Sequence, residues 1–203
     1  MYANDEMFGN RAAVMRKSQR VHPRQSGDRT SFSASAAAKE RLRDSYRPRK
    51  VKILFVGESR PASGRFFYQA DSGLYRAIRD TFLAAFPDLP SHDFLKSFRS
   101  LGCYLIDLCG RPVDRMKPKS RRRICSMGEP HLARTIRKLR PEIIVTVVRS
   151  IRANVQRAQE RSGWTGFHLE LPYPGRWQSH RLEFRDKLIP LLHAKLRKKR
   201  GIR

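Results

Sequence analysis

Four short apolar runs constrain the fold of this chain more than any other feature: Val51 to Val56 (VKILFV), Cys103 to Cys109 (CYLIDLC), Ile143 to Val148 (IIVTVV) and Phe167 to Leu171 (FHLEL). Each has strand length, and Val51 to Val56 and Ile143 to Val148 have the continuous apolar texture that a strand buried on both faces requires. Helix-length segments separate them. Ser72 to Phe86 sets Leu74, Ala77, Ile78, Phe82 and Ala85 at helical spacing before Pro87 stops it. A second helix is predicted over Glu129 to Leu139, Ser150 is placed to cap a third, and a fourth is predicted from about Arg181 to Lys198. This alternation predicts an α/β fold: a three-layer α/β/α sandwich around a central four-stranded parallel sheet, with right-handed crossovers. Ligands of such sheets sit at the carboxyl ends of the strands, where connecting loops gather.

The texture before and after this region differs. Residues 1–49 are short of Ile, Leu and Phe and read as a basic, mobile arm; Met1 to Lys50 holds 12 basic and 5 acidic side chains. Ser35 to Arg49 within it has Ala-rich helical propensity. Residues 50–194 form the globular domain, and residues 195–203 (KLRKKRGIR) a basic tail. Arg111 to Arg123 reads as a basic loop with seven Lys or Arg and one Asp. With 44 Lys plus Arg against 18 Asp plus Glu, the formal charge of +26 calls for an acidic partner, and nucleic acid is the natural one. No apolar run approaches the ~20 residues of a membrane span, and the first residues lack a secretory pattern, so a cytoplasmic protein is expected. Cys103, Cys109 and Cys125 form no Cys-x-x-Cys pair, and neither a disulfide framework nor a metal is expected.

The strand ends carry the chemistry. Gly57-Glu58-Ser59-Arg60-Pro61 follows the first run, Asp107 lies in the second, and Pro172-Tyr173-Pro174-Gly175-Arg176-Trp177 follows the last. Just beyond the first comes Ser63-Gly64-Arg65-Phe66-Phe67-Tyr68, so a carboxylate stands beside an aromatic cluster, as base or sugar chemistry would use. The plainer alternative is that Glu58 caps a helix or pairs with Arg60 while the aromatics fill the core.

In their order these features resemble the uracil-DNA glycosylase superfamily, in the branch whose first motif reads Gly-Glu-Ala-Pro-Gly. The resemblance spans about Lys50 to Leu192. It implies that Glu58 is the carboxylate acting on water against the sugar C1′, that Phe66 or Phe67 stacks on a flipped base, and that Ser59 lies in the base pocket. Tyr104 to Pro112 is similar to the strand bearing that family's base-reading Asn, a position held here by Asp107. Leu171 to Trp177 takes the place of its DNA-wedging His-Pro-Ser loop, with Tyr173-Pro174-Gly175 at the motif itself. The motif histidine is therefore absent, and His180 or Tyr173 is the candidate to replace it. The branch's four iron–sulfur cysteines are absent as well, so no cofactor is expected.

An ionised Asp only accepts hydrogen bonds, and a carboxylate suits the exocyclic amine of a cytosine-type base; a protonated Asp107 would instead donate to a carbonyl. The expected function is a monofunctional DNA glycosylase that excises a non-canonical base, favouring a modified cytosine, in defence against phage DNA or in repair. The alternatives are a non-catalytic DNA-binding scaffold and a uracil-excising repair enzyme. Expected DNA contacts are Arg60, Arg65, Arg111, Arg121, Arg122, Arg123, Arg176 and Trp177, on duplex DNA with a flipped base, by a monomer with no membrane partner.

Overall fold

The computed structural model describes residues 27–175 and 177–196. Four parallel strands form one sheet, β1 (Ile53–Ser59), β2 (Cys103–Cys109), β3 (Ile143–Thr146) and β4 (Phe167–Glu170), in the order β2-β1-β3-β4. The chain steps from β1 to one side and then back across it to the other, so the switch in direction falls between β1 and β3. That is where an open parallel sheet of this kind leaves a crevice for a ligand. The register sets Gly57 opposite Asp107 and Val56 opposite Thr146.

Helices cover both faces, giving the α/β architecture expected. α2 (Gly73–Ala85), α3 (Phe94–Ser100) and α6 (Gln178–Leu196) lie on one side, where Phe82 and Phe98 meet Phe55 of β1 at ring-centroid distances of 6.3 and 5.4 Å. α4 (Pro118–Leu139) and α5 (Arg152–Ser162) pair on the other. Ile53, Leu54, Phe55 and Val56 are wholly buried, as a strand sandwiched between helix layers must be. No helix among the described residues is long and apolar enough to cross a membrane.

Several boundaries move. The basic loop over Arg111 to Arg123 ends at Lys117, because α4 starts at Pro118, eleven residues before the expected Glu129. Gly128, inside α4, is there for contact: a Cβ on it would lie 2.2 Å from the Leu108 carbonyl oxygen of β2. The missing side chain lets α4 lie against the strand without interrupting the helix. Ser150 does not cap α5; a short 3₁₀ turn at Arg149–Ile151 leads in, and Ile151 stands at the cap with no side-chain bond. α6 begins at Gln178, so His180 is in its first turn.

The largest correction concerns the arm. Its second half is α1 (Gly27–Ser45), and it is docked on the domain. Tyr46 stacks on Tyr68 with centroids 5.5 Å apart, Tyr104 donates to Asp44 at 3.0 Å, and Arg60 donates to Glu40 at 3.3 Å. The folded unit therefore starts well before Lys50. Residues 1–26 of the arm and residues 197–203 of the tail lie outside the described residues.

Candidate active site

A cavity of about 740 Å³ opens at the carboxyl ends of β1, β2 and β3. It gathers residues from all three loaded segments: Gly57 to Pro61, Asp107, and Tyr173 with Gly175. Arg65, Phe66 and Phe67 complete the same wall.

Glu58 leaves the end of β1 with its side chain 12% exposed. The Arg121 guanidinium grips both of its oxygens, Nε donating to Oε1 at 2.6 Å and Nη2 to Oε2, and the Cys125 thiol lies 3.7 Å from Oε1. Such a two-pronged pair fixes the carboxylate's plane as well as offsetting its charge. Arg121 comes from the first turns of α4 and lines the cavity with Nε and Nη2 spent on Glu58. Cys109 and Cys125 stand 3.5 Å apart behind this pair, both thiols pushed up by burial.

Asp107 faces the same cavity from β2, across from Gly57, where a Cβ would come within 2.8 Å of its Oδ1. Glycine there leaves room for the carboxylate. No described residue donates a hydrogen bond to Asp107. Burial pushes its pKa up to about 6, against the pull of the Arg43 and Arg60 charges behind it. Pairing with Arg111 does not occur; that residue is exposed and outside the cavity.

The aromatic wall is built by packing. Phe67 meets Tyr68, Tyr75 and Phe98 at 5.0 to 5.8 Å, so it belongs to the core and shows the cavity only an edge. Phe66, 2% exposed, lies beneath the Arg60 guanidinium at 6.0 Å. Tyr68 donates from its hydroxyl to the Leu105 carbonyl at 3.0 Å and accepts from the Leu105 N–H at 2.8 Å, tying this segment to the outer edge of β2.

Other expected contacts fall differently. Arg60 is only 10% exposed and spends its donors on Glu40 and the Gly110 carbonyl, so it braces the cavity instead of reaching DNA. The Ser59 hydroxyl accepts from Val113 N–H at 3.2 Å, and Asp114 accepts from Ala62 N–H at 3.1 and 3.2 Å. These bonds pin the Ser59 to Ser63 loop and use an amide that an oxyanion would otherwise find. Arg65 lines the cavity and is exposed. Arg122 and Arg123 are exposed on α4. His180 does not line the cavity; Tyr173 does, its hydroxyl standing 3.6 Å from where a Gly73 Cβ would be. Trp177 is 59% exposed outside it, and Arg176 is outside the described residues. No three His, Cys, Asp or Glu side chains among the described residues are grouped to hold a metal.

Sequence reasoning missed Asp114, Tyr68 and the Glu40 and Arg43 pair behind Asp107, all of which act across long stretches of chain. No family model matches the sequence, and a search of curated proteins finds no match.

Proposed function

We propose that this protein is a monofunctional DNA glycosylase that hydrolyses the N-glycosidic bond of a flipped, non-canonical base, with a modified cytosine favoured. The single observation that carries the reading is Asp107: a half-buried carboxylate, given no hydrogen bond by any described residue, lining the same cavity as Glu58. A half-buried acceptor that no described residue bonds is open to a ligand that supplies a donor. The exocyclic amine of a cytosine-type base does so, and Asp is a natural acceptor for it. The cavity, at about 740 Å³, has the size of a nucleotide-scale pocket.

In the reaction the C1′–N bond breaks and its electron pair leaves on the base, which takes up a proton. Water adds its oxygen to C1′. Glu58 supplies negative charge against the oxocarbenium-like sugar and orients the water, with its plane set by Arg121. Phe66 lines the pocket wall but is 2% exposed beneath the Arg60 guanidinium, so the flip, which costs a few kcal/mol, is offset by contacts of the basic surface with phosphates.

A second reading, a non-catalytic DNA-binding scaffold, is favoured by the Arg121 grip on both Glu58 oxygens. An abasic-site assay separates them. Wild type and Glu58→Gln are incubated with uracil-containing, ordinary and modified-cytosine duplexes, then with alkali. Strand cleavage by wild type alone, best on modified cytosine, is expected; salt-sensitive binding without cleavage on any duplex would support the scaffold, and uracil as the best substrate would sink the Asp107 argument.

A further inference from the structure

A second cavity of about 470 Å³ adjoins the first and shares Glu58, Arg121 and Ser150 with it. Its character is different. Arg121, Arg122 and Arg157 converge on it with the polar side chains Ser126, Ser150 and Asn154, and Glu58 is the sole acid among its walls. Two helices start there: Pro118, the first residue of α4, and Ala153, the second of α5, both line it. Neither start is capped by a side chain, Lys117 and Ile151 standing at the two cap positions.

The donors are spent unequally. Arg157 gives Nε and Nη2 to Glu129, at 3.0 and 2.6 Å. Arg121 gives Nε and Nη2 to Glu58, which leaves its Nη1 edge for another anion. Arg122 forms no ion pair or hydrogen bond with a described residue. The walls therefore hold a surplus of fixed positive charge directly beside the carboxylate that would face C1′. An anion of tetrahedral, many-acceptor geometry fits such a set of guanidinium donors better than a base or an apolar group does.

We propose that this second cavity is a phosphodiester subsite, which seats the backbone phosphate adjoining the flipped nucleotide between Arg122 and the free edge of Arg121. The inference rests on the glycosylase reading of the first cavity. On it, Arg121 bridges the substrate's backbone and Glu58, so that correct seating of the phosphate sets the carboxylate against C1′.

The test reads binding and needs no base release. A fluorescent duplex with one tetrahydrofuran abasic analogue is made in versions that carry a neutral methylphosphonate at each nearby phosphate in turn, and Kd is measured for wild type and Arg122→Gln. One methylphosphonate next to the analogue should weaken wild type by about tenfold and the variant by less than about twofold, with other positions costing both proteins alike. Equal effects in both proteins at every position, or an unchanged Kd for Arg122→Gln on the unmodified duplex, would overturn the subsite. Absence of base release in the abasic-site assay with this coupling intact would remove the catalytic reading alone. No binding to the tetrahydrofuran duplex would remove both.

Discussion

Glu58 and Asp107, two of the carboxylates that line the main cavity, stand toward the ends of neighbouring strands, and their surroundings are opposite. Glu58 has a guanidinium on both oxygens, whereas Asp107 has charges behind it but no donor from any described residue. One acid is compensated and held in orientation; the other is left with an unfilled valence toward the ligand. On the proposed reading, two acids set in contrasting environments divide their labour, one acting on the sugar and one reading the base.

The sharpest way to break that division is Glu58→Gln, which keeps the shape and removes the charge. Base release should fall by about 10³-fold while affinity for a tetrahydrofuran duplex changes little. A loss under about tenfold would mean that the compensated carboxylate has no part in the chemistry.

Asp107→Asn attacks the other half. The amide can donate, so preference should move toward a base with a carbonyl at the same position by about 10- to 100-fold. Wild type carries its own version of this change. Below its pKa of about 6 the protonated Asp107 can donate, and above it the carboxylate only accepts. The ratio of amino-base to carbonyl-base release should therefore rise as pH passes up through about 6 in wild type and stay flat in Asp107→Asn. A flat ratio in both proteins would take base reading away from Asp107.

Arg121→Lys tests whether orientation matters beyond charge. A lysine keeps one positive charge but cannot grip both oxygens, and kcat should fall by about tenfold with KM less affected. Equal kcat for wild type and Arg121→Lys would reduce the pair to charge balance.

Most of the frame of this site was readable from sequence, because strand ends are local. The β2 boundaries matched Cys103 to Cys109, and the loaded segments after β1, within β2 and after β4 met in one cavity because parallel strands bring their ends together. What could not be read was who holds the side chains. Arg121 lies 63 residues from Glu58, and a run of seven cations marks none of them as the one turned inward. The earlier start of α4 could not be read either, because what places Gly128 inside the helix, the Leu108 carbonyl, belongs to another element. α1 read as a polar arm, since its docking depends on isolated side chains such as Glu40, Asp44 and the adjoining Tyr46 rather than on an apolar stripe. His180 looked close to the wedge loop in sequence, but a helix begins at Gln178 and leaves it outside the cavity.

A further expected effect concerns stability, and its sign follows from the same asymmetry. An unfolded aspartate titrates near 3.9, while Asp107 titrates near 6 in the folded protein. Between those values the folded state binds more protons than the unfolded one, so stability falls as pH rises from about 4 to about 6 and then levels. The full shift corresponds to roughly 3 kcal/mol, and partial exposure of Asp107 brings the expectation down to about 2 kcal/mol. Glu129 acts in the opposite sense, since the Arg157 and Asn154 hydrogen bonds outweigh its burial and hold its pKa below the usual range. Only the difference between wild type and Asp107→Asn isolates the one group. That variant should melt higher than wild type at pH 7, and the gap should close as pH falls toward 4. A gap independent of pH would show that Asp107 is solvated and hydrogen-bonded in the free protein, and with it the unfilled valence that distinguishes the two ends of the cavity would be gone.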